Sequence, residues 1–147
     1  DFTYHGPGQL VMYPILDLRP LGLSVTGYVW NLEEVVIHVL ARFGISAARV
    51  EKLRGVWAGP DKIASLGVHL SRWISTHGVA LNVNTDLAPF GLINPCGITD
   101  CGITSMARIL GRSLPIEEVE SSTLAAFAEV FKYSLSEKPL EMLEPYR

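Results

Sequence analysis

The chain has 147 residues, 48% of them hydrophobic, and a net charge of −3. That suits one domain with a sizeable core and argues against disorder. Twelve basic residues face fifteen acidic ones with no basic stretch, which makes nucleic acid a poor partner. No apolar run reaches the roughly 18 residues that span a bilayer, so no membrane partner is expected, and no charged leader precedes an apolar segment. Two cysteines, Cys96 and Cys101, are few for a secreted disulfide scaffold, so free thiols in a reducing compartment are expected. The first residue is Asp1, and the chain is expected to be processed, trimmed or incomplete.

In chain order, Gly6-Pro7-Gly8-Gln9 fits a type II turn, with Pro in the second place and Gly in the third. Leu10 to Ile15 reads as a strand, and Pro14 places it at an edge or near an end. From Thr26 to Phe43 the residues Val29, Leu32, Val35, Val36, Val39, Leu40 and Phe43 keep a helical period. Glu33 and Glu34 are expected on the opposite face, and Gly44 is a natural stop. Short β-like pieces follow at Gly55–Ala58, Lys62–Leu70 and Gly78–Val83, with a hairpin turn at Ala58-Gly59-Pro60-Asp61. Ser105 to Leu110 reads as a short helix ended by Gly111. Pro115 opens a longer helix to about Tyr133. Residues 134–147 are expected to be a flexible polar tail, behind one catalytic domain over 1–133. The alternation of elements predicts an α+β fold with a mixed or mainly antiparallel sheet flanked by helices, not a doubly wound parallel one.

Cys96 stands in Asn94-Pro95-Cys96-Gly97-Ile98-Thr99. A thiol at such a turn is a nucleophile if a neighbour lowers its pKa, and otherwise a small buried hydrophobe; local sequence leaves both open and favours the second. Lys62 begins an apolar strand and could stabilise a thiolate, although such lysines are more often simply solvated. His38 reads as structural and His69 as a surface position; His77 precedes Gly78. The Cys-x4-Cys spacing without a second pair is weak for zinc, so no metal is expected. No phosphate-binding loop, Gly-x-Ser-x-Gly, His-Glu-x-x-His or dinucleotide fingerprint occurs, and no cofactor is expected.

Four stretches occur together and in order: "TYHGPGQLVMYPILDLR", "GVW…KIASLGV", "THGVALNVNTDL" and "NPCGITDCGITS". In these the chain resembles the octanoyltransferases of lipoate biosynthesis, from about Phe2 to Gly111. The resemblance implies an α/β fold similar to the catalytic domain of biotin and lipoate protein ligases. It implies transfer of an octanoyl or lipoyl group from acyl carrier protein to a lysine of a lipoyl domain. The acceptors would be the E2 subunits of 2-oxoacid dehydrogenases and the glycine cleavage H protein. The family's thioester-forming cysteine falls on Cys96, and the lysine that lowers its pKa on Lys62. The acyl-binding stretches fall on Asp1, Phe2, Thr3, Tyr4 and His5, on Ser65, Leu66 and Gly67, and on Gly78, Val79 and Ala80. The compartment implied is the cytoplasm, or an organellar matrix or stroma. Family members carry a further segment, ending in Arg-Gly-Gly, before the first stretch. The N-terminal part of the domain is therefore expected to be missing here and the acyl slot partly open.

Two alternatives stand beside this reading: an ATP-dependent lipoate or biotin ligase of related fold, and a non-catalytic acyl-binding fragment. Because acyl carrier proteins are acidic, the basic residues Arg42, Arg49, Lys52 and Arg54 are the first candidates for a docking patch.

Overall fold

The computed structural model describes residues 4–92 and 102–136. Ten elements follow in order: β1 (Gln9–Met12), α1 (Val25–Arg42), β2 (Ala48–Val50), β3 (Leu53–Ala58), β4 (Asp61–Ser71), β5 (Ile74–Asn82), a 3₁₀ turn (Ala88–Leu92), β6 (Gly102–Ile103), α2 (Met106–Leu110) and α3 (Ile116–Phe131). The strands form one sheet in the order β1-β5-β4-β3-β2, all antiparallel, and β6 joins β4 in parallel. The sheet is thus mixed and flanked by helices, as the order of the sequence segments predicted.

α1 forms where the 3.6-residue period runs, and both ends carry their own signals. Ser24 Oγ accepts the Gly27 amide at 3.0 Å, a cap worth about 1 kcal/mol. At the other end the Gly44 amide reaches the Ala41 carbonyl and the Ile45 amide reaches the Leu40 carbonyl. With Gly44 at φ 75°, this is a Schellman stop, and Ile45 then folds into the core. Tyr28, Leu32, Val35, Val36, Val39 and Leu40 of α1 are buried against one face of the sheet. Val119, Ala126, Phe127 and Phe131 of α3 join the same core. The phenol of Tyr28 is fully buried; loss of water pushes its pKa up, and the neighbouring Ser75 hydroxyl pulls it partly back.

Glu33 corrects the sequence expectation. It does not lie on the solvent face but is buried, accepting the Gly55 amide at 3.2 Å and Arg49 Nε at 3.0 Å. It sits at the edge of the apolar stripe, close enough to the sheet for a carboxylate to satisfy a buried amide of β3.

The expected strand Leu10–Ile15 is shorter in the structure, ending at Met12 on the sheet edge. Pro14 has no amide for a ladder; its carbonyl instead accepts from Ser75 Oγ at 2.9 Å. The Gly59-Pro60 turn joins β3 to β4, with Ala58 paired to Asp61 and positive φ at Gly59. β2 and β6 were not foreseen. They have three and two residues, too short for a periodic signal. Residues 137–147, most of the expected tail, lie outside the described residues.

Candidate functional site

Along the central strands, residues alternate between the two faces. Val79 and Leu81 of β5 belong to the core under the helices, as do the partly buried Leu66, Val68 and Leu70 of β4. The intervening residues, Gly78, Ala80 and Asn82 on β5 and Ser65, Gly67 and His69 on β4, therefore fall on the opposite face. The register places Ser65 across from Ala80 and Gly67 across from Gly78. Two glycines and two small residues side by side leave a hollow. A cavity of about 410 Å³ lies there, lined by His5, Tyr13, Ser65, Leu66, Gly67, Val68, His77, Gly78, Val79 and Ala80, within the range of small-ligand sites.

Seven of the expected acyl-site residues, His5, Ser65, Leu66, Gly67, Gly78, Val79 and Ala80, thus border one cavity. Tyr4 does not: its ring meets Phe90 edge-on, with centroids 5.1 Å apart. Asp1, Phe2, Thr3, Cys96 and Cys101 lie outside the described residues. The two glycines also differ in role. A Cβ on Gly67 would meet nothing within 4 Å, so its bareness is open room. A Cβ on Gly78 would strike the Met12 carbonyl and Pro14, so the bareness of Gly78 admits the end of β1.

The Gly6-Pro7-Gly8-Gln9 turn closes with the Gln9 amide on the Gly6 carbonyl at 3.2 Å and Gly8 at φ 79°. Gly8 also packs on the backbone of Asn84, where a Cβ would come within 2.6 Å of the carbonyl oxygen. The Asn84 amide in turn holds the Gly8 carbonyl at 2.8 Å. This pinned turn carries His5 to the cavity wall. His5 Nδ1 lies 2.8 Å from Gln9 Oε1, and Tyr13 Oη lies 3.1 Å from His5 Nε2. The ring of Tyr13 meets His77 edge-on at 5.6 Å. His77 adopts φ 63° inside β5, a strained conformation for a residue with a side chain, and such strain concentrates at functional sites.

Lys62 is partly buried at the start of β4, paired across the ladder with Trp57. Its Nζ stands 5.2 Å from the centre of the Trp57 ring. Its stem passes over Gly55, where a Cβ would come within 3.1 Å of Lys62 Cε and 2.6 Å of the Ala64 carbonyl. Gly55 and Trp57 therefore shape the berth of Lys62, and sequence reading gave neither that role. β6 runs beside Lys62: Lys62 pairs with Ile103, and the Thr104 amide donates to the Lys62 carbonyl at 3.0 Å. β6 begins one residue after Cys101 in the sequence.

The expected basic patch is not a uniform cationic surface. Arg42 binds Glu129 at 2.7 Å and the Ser122 carbonyl at 3.0 Å. Arg49 binds Glu33, Glu34 and the Trp30 carbonyl, and its guanidinium stacks 3.7 Å above the Trp30 ring. Lys52 and Arg54 remain exposed. Among the described residues no cluster of three His, Cys, Asp or Glu side chains is arranged to hold a metal, and no helix is long and apolar enough to cross a membrane.

The chain is 51% identical over 141 residues to an octanoyltransferase of Caldanaerobacter subterraneus subsp. tengcongensis, covering 96% of this chain and 61% of that protein. It is 52% identical over 148 residues to an octanoyltransferase of Myxococcus xanthus, covering 97% and 42%. It therefore spans about half of the length of these relatives. Among solved structures, a bi-partite lipoate protein ligase of Thermoplasma acidophilum superposes with a TM-score of 0.71 at 19% identity, covering 92% of this chain and 56% of that one. The apo biotin protein ligase of Aquifex aeolicus superposes with a TM-score of 0.67 at 21% identity, covering 85% and 53%. These two share the fold. The model of the lipoyl protein ligase A/B catalytic domain matches residues 1–128, and the chain belongs to that family.

Proposed function

We propose that this chain belongs to an octanoyltransferase that moves an octanoyl or lipoyl group from acyl carrier protein to a lysine of a lipoyl domain, through a thioester on Cys96. The observation that carries the reading is the setting of Lys62: a partly buried amine over Trp57, on the strand that pairs with β6, which follows the cysteines in sequence. Relatives at about half identity that carry the name octanoyltransferase support the same reaction. A reducing interior, the cytoplasm or an organellar matrix, suits a free thiol nucleophile. The acceptors would be the lipoyl domains of 2-oxoacid dehydrogenase E2 subunits and the glycine cleavage H protein.

The chemistry needs no nucleotide. The Cys96 thiolate adds to the thioester carbonyl of the donor. The bond to the carrier's sulfur breaks, and that sulfur leaves and takes a proton. One thioester replaces another, so the step is nearly balanced. The acceptor amine then attacks the Cys96 thioester, a C–N bond forms, the C–S bond breaks, and the proton lost from nitrogen returns to sulfur by way of Lys62. An amide replaces a thioester, which runs downhill. Lys62 as a cation stabilises the thiolate first and relays the proton later. Burying six or seven methylenes in the cavity contributes roughly 5 kcal/mol at about 0.8 each.

The test is intact mass after brief exposure to octanoyl carrier protein without ATP, followed by peptide mapping. An octanoyl adduct on Cys96 is expected, abolished in Cys96→Ser, nearly intact in Cys101→Ser, and formed more slowly in Lys62→Ala. An adduct on Cys101, or one that persists in Cys96→Ser, overturns the assignment. Transfer that requires ATP would favour the ligase reading, and octanoyl binding without any adduct would favour a non-catalytic one.

A further inference from the structure

One chain of hydrogen bonds crosses the open face of the sheet and ends on a group that can only accept. The Thr104 carbonyl receives Asn82 Nδ2 at 3.1 Å. Asn82 Oδ1 receives Gln9 Nε2 at 2.9 Å. Gln9 Oε1 meets His5 Nδ1 at 2.8 Å. Beyond His5, the Tyr13 hydroxyl meets Nε2 at 3.1 Å. The direction of every bond follows from the first. A carbonyl has no proton to give, so the Asn82 amide must present its nitrogen to Thr104 and its oxygen to Gln9. Turning Asn82 over would set two oxygens against each other at a residue that is itself only 4% exposed. The Gln9 amide is then fixed in the same sense, and its oxygen faces His5. An oxygen acceptor requires a proton on Nδ1, so in the neutral ring Nε2 is bare and takes the Tyr13 hydroxyl proton as a hydrogen bond.

Gln9 and Asn82 are directly opposed across the β1–β5 ladder, 73 positions apart, so the backbone register supports the link between them. Thr104 closes the network on the other side, because its amide donates to the Lys62 carbonyl. The orientation of His5 and the strand that carries Lys62 are therefore tied through one residue.

We propose that Gln9 and Asn82 are positioning residues that hold His5 as the Nδ1–H tautomer, so that Nε2 stands at the cavity wall as an acceptor for the N–H of an attacking primary amine. A bare nitrogen repels a carbonyl or an oxyanion, so neutral His5 is not a donor to the developing oxyanion. It receives a nucleophile that still carries N–H bonds, and Tyr13, 48% exposed, is the group that nucleophile displaces. The amine rests on the acyl-transfer reading above; the tautomer does not.

Both are measured on the full chain. With ¹⁵N-histidine labelling at pH 8, and His5 assigned by its loss in His5→Asn, the His5 ring should show a protonated Nδ1 and a bare Nε2. Gln9→Leu should release the ring to the Nε2–H form preferred in water. Tyr13→Phe, which leaves the Gln9 oxygen in place, should keep the Nδ1–H form. In transfer assays Gln9→Leu should raise KM for a lipoyl-domain acceptor about tenfold, with a smaller change in the rate of Cys96 acylation. An Nε2–H tautomer in the unsubstituted chain overturns the proposal even if Gln9→Leu does not fold. An unchanged tautomer in Gln9→Leu overturns the role of Gln9. A correct tautomer with no rise in KM overturns the part assigned to the amine. Absence of any acyl adduct in the unsubstituted chain sinks the transferase reading and leaves the tautomer measurement standing.

Discussion

The two faces of the sheet use the same strands for opposite ends. Under the helices, β4 and β5 contribute Leu66, Val68, Leu70, Val79 and Leu81 to the core that α1 and α3 share. On the other face the same strands offer Ser65, Gly67, Gly78 and Ala80, and a cavity takes the place of side chains. One strand register settles both, since a slip of one residue would exchange them. The helix-covered face stores stability, and the bare face leaves a cavity. A substitution should therefore report on its face more than on its strand.

The largest effect should come from the covered face. Leu32 is fully buried on α1, and Leu32→Ala should cost about 2–5 kcal/mol. Thermal melting followed by circular dichroism should show a fall of roughly 10 °C. A shift of only a degree or two would mean that this face is not the stability store.

A smaller effect on the same face depends on pH. Burial holds the Tyr28 phenol neutral above the pH, near 10, at which the unfolded chain's tyrosine ionises. Above about pH 10 the unfolded state sheds a proton that the folded state keeps, so stability should fall as pH rises through that range. Tyr28→Phe should flatten this alkaline limb while changing stability at neutral pH by about 1 kcal/mol, since it removes a long, 3.4 Å hydrogen bond to the Pro14 carbonyl. Urea midpoints measured from pH 7 to 11 test this, and parallel alkaline limbs in the two proteins would contradict it.

The smallest stability effect should come from the bare face. At Gly67, where a Cβ meets nothing, Gly67→Val should change stability by less than about 1 kcal/mol, because a strand glycine is itself mildly unfavourable. On the acyl-transfer reading proposed above, it should nevertheless shorten the acyl chain accepted. Adduct mass spectra with carriers loaded with acyl chains of graded length would show this. An unaltered chain-length preference would mean that the cavity at Gly67 is not the slot.

Much of the covered face was legible because its signals are local and periodic. The helix expected over Thr26–Phe43 is observed over Val25–Arg42, since Ser24 and Gly44 mark its ends and the apolar stripe fills its length. The burial of Glu33 escaped notice because helical periodicity places a residue on a wheel but does not show which amide of a distant strand lacks a partner. The bare face was legible mainly through the resemblance of the motifs. Ser65–Gly67 and Gly78–Ala80 look unremarkable until the register sets Gly67 against Gly78. Gln9, Asn82 and Thr104 gave one overlooked signal, an asparagine inside the apolar run Val79-Ala80-Leu81-Asn82-Val83. Its partners lie 73 and 22 positions away, beyond any local pattern. The strained backbone of His77 has no sequence signature at all.

The three tryptophans of the chain occupy three unlike surroundings, which makes the protein its own optical probe. Trp30 lies under the Arg49 guanidinium and is 56% exposed, Trp73 stands 49% exposed, and Trp57 is buried beneath the Lys62 amine. A soluble quencher such as iodide should silence Trp30 and Trp73 and leave the emission of Trp57 standing. The residual fluorescence would then come from the ring beside Lys62, so events near that amine could be followed in real time without any label.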